Sequence, residues 1–470
     1  MGLITWTKEK LKMLLGAKVK EEFAVADVTS AEMRRMIEKC ANIYRGRPEW
    51  INAKDHIKTI NFAKAVCSET ARLATLAIGI QIDGSARAEW LQAQIDSVYF
   101  QLRHWVEYGA AFGTIILKPN GESIDVYTPD QFIVTDEKNG KITGIVFENK
   151  ARSEDGKKYY TRMERHALLE SGGYEIENKC FEGATADDIS KPVSIDKTPW
   201  AGLAEEVSLE NVDDTLFGVL RMPHANNIDI DSSLALPIFS DAIEEFRDLD
   251  IAYSRNAKEI KDSKRTVLLD SDRLLPNGGK VKNTVGGFEK AREELELPDF
   301  VKTVYGDGQE NFYQEINPTL NTDTRLTGIN ALLSQIGYKC GFSNGYFVFN
   351  EKTGLATATQ VEADQQRTIQ FIKDVRDKLE SCLDDLIYAL SKFADLYEYA
   401  PLGEYEVVYD FGDITYNRDE DRARWYGYVV AGKIPFWYYL VKFEGFSEED
   451  AKAIEAEAQP QEPTLFGEEE

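Results

Sequence analysis

The sequence predicts an α+β protein of more than one domain. Three observations carry this: a first half of short β-branched runs broken by turn residues, a second half whose apolar residues recur every three or four positions, and a hydrophobic content of 43% over 470 residues, enough to fill substantial cores.

The opening stretch, MGLITWTKEKLKMLLGAKVK, places Lys8, Lys10 and Lys12 where a secretion signal needs an unbroken apolar run, and Trp6 where myristoylation needs Ser or Thr. It reads as a basic amphipathic helix that packs on a protein neighbour rather than on a membrane. No apolar run nears the roughly 20 residues that span a bilayer. Residues 55–80 predict a helix with Ile57, Ile60, Lys64, Cys67, Ala71 and Ala74 on one side, and WLQAQIDSVYFQLRHWVEYGAAFG predicts another. The segments GTIILKP, SIDVYTP and QFIVTDEKNGKITGIVFEN then read as strands. Asn139-Gly140 signals a two-residue hairpin, because both residues accept a positive φ. Strands continue over 157–181 around Gly172-Gly173, and 182–215 read as acidic loop.

From Leu236 the period changes. Phe239, Ala242, Ile243, Phe246, Leu249, Tyr253, Ala257 and Ile260 predict a helix of about 26 residues, with Pro237 tolerated in its first turn. A shorter helix over 323–338 carries Leu326, Ile329, Leu332, Leu333 and Ile336, and the residues between the two helices read as a small β-rich insertion. Thr357 and Gln360 have capping-box spacing and open a helix of about 37 residues with an apolar stripe from Ile369 to Leu390. Its first turns, Glu362 to Thr368, are polar and must face water or a polar partner. After the strand YEVVYDFGD, Gly432 and Pro435 separate two helices, Ser447 with Asp450 caps a third, and QPQEPTLFGEEE reads as a disordered acidic tail.

With 55 Lys and Arg against 81 Asp and Glu, the net charge of −26 argues against wrapping nucleic acid tightly, although an acidic wall lets DNA pass without sticking. Five scattered cysteines without a CxxC pair read as reduced, buried hydrophobes of a cytoplasm-made protein. His56, His104, His166 and His224 are isolated, so no metal site and no cofactor is expected from them. DFG at 410–412 lacks the other kinase elements. Asp410, Asp413, Asp419, Glu420 and Asp421 admit a two-magnesium nuclease, but a strand end followed by an acidic helix N-terminus explains them as well. No basic residues interleave with aromatics as in single-strand binders, and Lys258, Lys261, Lys264 and Arg265 suit a helix C-terminus.

The order of parts resembles the portal proteins of tailed bacteriophages, the siphophage portals of the SPP1-like kind. In these a loop of the form G-Y-F-x-F-x-x-x-x-G-x-x-T-A-T-E-V precedes a long helix, and Gly345, Tyr346, Phe347, Phe349, Gly354, Thr357, Ala358, Thr359 and Val361 match it. INFAKAVCSETARLA, YGAAFGTIILKPNGESIDVYTPDQFIVT, YYTRMERHALLESGGYEIENKCF and YDFGDITYNRDEDRARWYGYVVAGKIP are further similar pieces, in the same order. Gln360 replaces the usual glutamate, and the short C-terminus implies a small crown. The resemblance implies a homo-oligomeric ring of about twelve copies at one capsid vertex of the virion, made in the host cytoplasm. Terminase would pack double-stranded DNA through it, independent of sequence, and the DNA would later be ejected; no catalysis belongs to the ring. Its partners would be the terminase large subunit, a head-completion adaptor, and the major capsid and scaffolding proteins, with no membrane.

By position, 1–235 would be the N-terminal wing part, 236–262 and 323–340 the stem helices, 263–322 the clip, 341–356 the tunnel loop, 357–420 the long helix with its return strand, and 421–470 the crown with its tail. The DNA-facing tunnel-loop residues would be Phe342, Asn344, Tyr346, Asn350, Lys352 and Thr353. Thr357, Thr359 and Gln360 would start the long helix, and Lys258, Lys261, Lys264, Arg265 and Lys339 would be the basic residues of channel or clip. The alternatives are a carboxylate-dependent nuclease using Asp410 and Asp413, and another ring-forming virion protein.

Overall fold

The computed structural model describes residues 15–51, 56–121, 123–170, 172–263, 266–270, 301–304, 313–317, 321–348, 358–412, 418–431, 433–444 and 446–458. The chain falls into two units, one of Met1–Thr75 with Gly79–Tyr409, the other of Leu76–Ile78 with Asp410–Glu470.

In the first unit, α1 (15–23) buries Leu15, Val19 and Phe23 on Ile133, Val146, Met163 and Phe181. Residues 15–20 of the stretch expected to pack on a protein neighbour thus pack on the chain's own sheet, and residues 1–14 lie outside the described residues. Helix α2 (Ala31–Tyr44) starts at Ser30, whose Oγ accepts from the Met33 N–H at 3.3 Å. Helix α3 (Phe62–Ala74) is shorter than the helix expected over 55–80. Asn61 stands at φ 52 before it, and strand β1 (Gly79–Asp83) follows it. The apolar Ile57 and Ile60 belong to an irregular segment between His56 and Asn61, both at positive φ. Helices α4 (Ala86–Val98) and α5 (Leu102–Phe112) are joined by one tight turn.

Nine strands follow: β2 (Thr114–Asn120), β3 (Ser123–Tyr127), β4 (Phe132–Lys138), β5 (Lys141–Arg152), β6 (Tyr159–Leu168), β7 (Tyr174–Gly183), β8 (Lys191–Val193), β9 (Glu206–Leu209) and β10 (Gly218–Arg221). They form a sheet of order β4-β5-β6-β7-β8, with β9 also on β7, and a three-stranded sheet of order β10-β2-β3. The β4–β5 hairpin turns at Asn139 and Gly140, φ 52 and 75, as the sequence predicts. Along β4 and β5 alternate residues serve opposite faces: Ile133 and Val146 meet α1, while Phe132, Val134, Ile145 and Phe147 join Ile116 and Tyr127 from the small sheet, Phe217 just before β10, and Met33 and Ile37 from α2.

A charged network lies between the two sheets. Lys118 Nζ donates to Glu164 Oε2 at 2.6 Å; Arg162 donates to the same oxygen at 2.9 Å, and His166 Nε2 lies 3.1 Å from Oε1. His166 Nδ1 lies 3.0 Å from the Tyr174 hydroxyl. Burial opposes the Glu164 charge, but Lys118, His166 and Arg162 outweigh it and hold the carboxyl well below the usual range.

Helix α6 (Ile243–Asp262) begins seven residues after Leu236, where the sequence predicts its start. The Ala235 N–H donates to Thr114 Oγ1 at 2.8 Å and the Ile238 N–H to the Ala110 carbonyl at 3.1 Å, so this stretch is tied to α5 and β2 instead. Strands β11 (Thr266–Asp270), β12 (Val301–Val304) and β13 (Tyr313–Ile316) form a separate sheet, β11 parallel to β12 and antiparallel to β13. Then come α7 (Thr322–Lys339), α8 (Ala358–Leu396) and β14 (Glu406–Asp410), which pairs with β1. Helix α8 has 39 residues, on the order of 58 Å. Its predicted stripe is buried from Ile372 through Leu390. Gly218 of β10 lies against it: a Cβ there would come within 2.3 Å of the Cys382 carbonyl oxygen.

The second unit contains α9 (Arg418–Val430), α10 (Phe436–Tyr439), a wide turn over Leu440–Glu444, and α11 (Glu448–Ala458). Ser447 caps α11 as expected, its Oγ accepting from the Asp450 N–H at 3.1 Å. Tyr439, Leu440, Phe443 and Ala451 form its core. Lysines pack on aromatic rings here: Lys442 Nζ lies 3.8 Å from the Trp425 ring centroid and Lys452 Nζ 4.6 Å from that of Trp437. All five cysteines are free and buried, as their spacing predicts. Among the described residues no helix is long and apolar enough to cross a membrane. The capping box at Thr357 and the acidic tail lie outside the described residues.

Two outcomes follow. Replacing Lys118 with Ala leaves Glu164 buried without its main partner and should cost about 3–5 kcal/mol in urea unfolding. Burial pushes the Asp385 carboxyl of α8 up to about 6, against the pull of Lys141 at 3.8 Å. The unfolded value is about 3.9, so the folded chain binds this proton more tightly and gains stability as pH falls from about 7 to 4. Asp385→Asn should therefore raise Tm at pH 7.5, and the gain should vanish by pH 4.

Candidate functional site

Of the residues singled out by sequence, Lys339, Phe342, Asn344 and Tyr346 gather at the base of the α6–α7 pair. Antiparallel contacts fasten α6 to α7 at both ends. At the base, Lys339 Nζ donates to the Asp241 carbonyl at 2.9 Å and pairs with Glu245; at the far end, Arg325 pairs with Glu259, whose Oε1 also accepts from the Asn321 N–H at 3.3 Å. Midway, Asp250 is only 3% exposed and holds the irregular segment before α3. Its carboxylate accepts from Trp50 Nε1 at 2.8 Å and from the Ile60 N–H at 2.9 Å. Burial raises its pKa, opposed by these two hydrogen bonds. The small sheet β11–β13 follows directly from the far end of α6.

The chain leaves α7 through Cys340 and Gly341. Gly341 stands at φ +95, and a Cβ there would lie 2.6 Å from the Phe371 ring of α8, so this position requires glycine twice over. Phe342 is fully buried. Its ring centroid lies 4.7 Å from Phe347, 5.0 Å from Tyr346 and 5.7 Å from Phe371. Phe347 in turn packs edge-on against Phe62 of α3 at 5.2 Å. Ser343 and Thr368 form a reciprocal pair: the Ser343 N–H donates to Thr368 Oγ1 at 2.8 Å, and the Thr368 N–H to Ser343 Oγ at 3.2 Å. The Ser334 hydroxyl of α7 bonds Asn344, and its oxygen accepts from the Gly345 N–H at 3.0 Å.

The Tyr346 hydroxyl donates to Glu69 Oε1, and Arg72 forks onto the same carboxylate at 2.7 and 2.8 Å. Burial first, and Glu69 second, raise the Tyr346 pKa, so the hydroxyl stays a donor at any physiological pH. Arg72 chiefly, against burial, lowers that of Glu69. Residues 340–347 are thus an aromatic knot tied to α3, α7 and α8.

Beside the knot lies a groove that includes His224, Tyr338, Asn344, Gln366, Arg367, Gln370 and Asp374. Arg367 lies flat on Tyr338, 4.0 Å from its ring centroid, and donates to the Tyr338 carbonyl at 3.0 Å, which leaves a preset cation at the surface. No spacing in the sequence links these two residues, and sequence reading missed them.

Of the predicted tunnel-loop residues, Asn344 is exposed and Tyr346 half-buried. Phe342 is a correction: apolar, with three rings around it, it is a core residue and presents no face to solvent. Asn350, Lys352, Thr353, Thr357, Lys264 and Arg265 lie outside the described residues, as do the side chains of Thr359 and Gln360. Lys258 and Lys261 are exposed near the far end of α6, and Lys339 is exposed but committed to Glu245. The polar turns at the start of α8 end at Thr368, which is buried against Ser343 rather than exposed. Asp410 is exposed at the end of β14, Asp413 lies outside the described residues, and no group of three His, Cys, Asp or Glu able to hold a metal occurs among the described residues.

No protein-family model and no curated protein matches the sequence. Among solved structures, the chain is similar to a chain of the neck of an empty gene transfer agent particle, computed with C6 symmetry, at 9% identity and a TM-score of 0.42, over 94% of this chain and 99% of that one. It is also similar to a chain of the virion of a native gene transfer agent particle, at 10% identity and a TM-score of 0.39, over 88% and 94%.

Tyr346→Phe should loosen the knot without dismantling it. Amide exchange over 341–347 should quicken while the core of α8 stays protected, with a global loss of about 1 kcal/mol.

Proposed function

We propose that this chain is a portal protein: about twelve copies form a ring at one capsid vertex, around a channel that double-stranded DNA enters during packaging and leaves during ejection. The observation that carries the reading is the antiparallel α6–α7 pair, fastened at both ends, followed at its far end by a separate small sheet and leading at its base through the aromatic knot into a 39-residue helix. This is the order of stem, clip, stem, tunnel loop and long helix that the sequence resemblance implies.

In this reading the β11–β13 sheet is the clip, which docks the terminase large subunit and later the head-completion adaptor, and the second unit is the crown. The net charge of −26 suits a wall past which DNA slides. Arg367 on Tyr338, with Gln366 and Asn344 beside it and Gln370 bonded to Asp374, offers one held cation near one carboxylate, enough to meet a passing phosphate without retaining it.

Negative-stain images of the purified protein, classified in top view, should give rings of about twelve subunits with a central hole. A monomer or two-fold dimer at micromolar concentration would overturn the reading. Arg367→Glu should leave those rings intact and lower DNA packaging in a terminase-dependent assay.

A further inference from the structure

Two exposed aromatic patches of the first unit take part in nothing described so far. The first is a shelf where α8 ends. Trp90 of α4 stacks on Tyr399, centroids 6.0 Å apart at 19°, and Tyr399 stacks on Tyr397 at 5.5 Å and 22°. Leu396, Tyr397, Tyr399 and Leu402 are 45, 53, 47 and 85% exposed. The charged residues interspersed with them are acidic: Glu89, Glu398 and Glu404 are exposed, and Asp395 pairs with Arg87. The second patch is a ridge beyond the other end of α4, where Tyr99, Phe100 and Tyr108 are 43, 72 and 38% exposed, with exposed Arg103 and His104 among them.

Scattered exposed apolar residues are normal on a soluble surface, but stacked and contiguous ones mark interfaces. The shelf is also rigid. Buried Arg87 donates to the carbonyls of Ser391, Ala400 and Pro401, at 2.5, 2.8 and 3.0 Å, so the segment carrying Tyr397, Tyr399 and Leu402 is fixed before any partner arrives. Fixed aromatic side chains lose little entropy on binding.

We propose that the acidic shelf of one copy receives the basic ridge of the next. Shelf against shelf would oppose like charges, whereas shelf against ridge pairs aromatic surface with aromatic surface and Glu398 or Glu404 with Arg103 or His104. Two different patches that meet make a heterologous contact, the kind that repeats from copy to copy and gives a ring when its rotation closes. This rests on the ring reading above and names the surfaces that build it.

The test uses full-length chains carrying Leu402→Glu or Phe100→Glu, both at sites exposed enough that the fold should stand, which circular dichroism and Tm check. By mass photometry each variant alone should fall from rings to monomers, its assembly midpoint raised at least about tenfold. An equimolar mixture should give a one-to-one heterodimer and nothing larger, because each partner retains one intact patch. Arg103→Glu should weaken rings, and Glu398→Lys in the same chain should restore them. If wild type forms rings and both glutamate variants form them at the same concentration, the shelf and ridge are not the contact, while the ring reading survives. Variants that fall apart but give no heterodimer on mixing also overturn the pairing. A wild type that stays monomeric overturns the ring reading, and this proposal with it.

Discussion

Two buried arginines hold the long helix, and much of the first unit depends on that hold. Arg376 reaches from the middle of α8 to the carbonyls of Leu73 and Ala74, at 3.1 and 3.0 Å, where α3 ends; Arg87 reaches from α4 into the carbonyls at the end of α8 itself. Arg376 spends its guanidinium donors on the last-turn carbonyls of α3, and Arg87 spends its own on Ser391 inside α8 and on Ala400 and Pro401 beyond its end; such carbonyls are costly to bury without a partner. With Gly218 letting β10 approach α8 closely, the helix becomes a beam against which α3, α4 and the small sheet are all registered. The knot at 340–347 is fixed against the same beam through Phe371 and Thr368.

Local periodicity made the long elements legible: the extent of α7, the stripe of α8, the Asn139-Gly140 hairpin and the Ser447 cap all follow from spacing or single-residue chemistry. Errors arose where a tertiary hydrogen bond overrode the local pattern. Leu236 and Phe239 continue the helical period of α6, but the backbone before Ile243 is claimed by Thr114 and Ala110, more than a hundred positions earlier. Ile57 and Ile60 likewise look helical, yet the backbone of Lys58 and Ile60 is held by Ser254 and Asp250. No window of sequence contains such a partner.

The candidate site was half legible for the same reason. The residues before α8 were singled out by the loop form that they resemble, not by any local spacing or chemistry. Which of them face inward is a matter of packing: Phe342 goes into the core, and the exposed cation of the groove is Arg367, held by a tyrosine on the preceding helix.

The five buried cysteines give the chain a set of internal clocks. Burial pushes every one of these thiols up, that of Cys40 to about 12, so at neutral pH almost none is thiolate and reaction with a soluble disulfide must wait for a local opening. Cys340 opens the knot, Cys382 lies at the Gly218 contact on the beam and Cys67 sits within α3. The order in which they become modified would therefore rank how often each part of the first unit breathes, without any label being introduced.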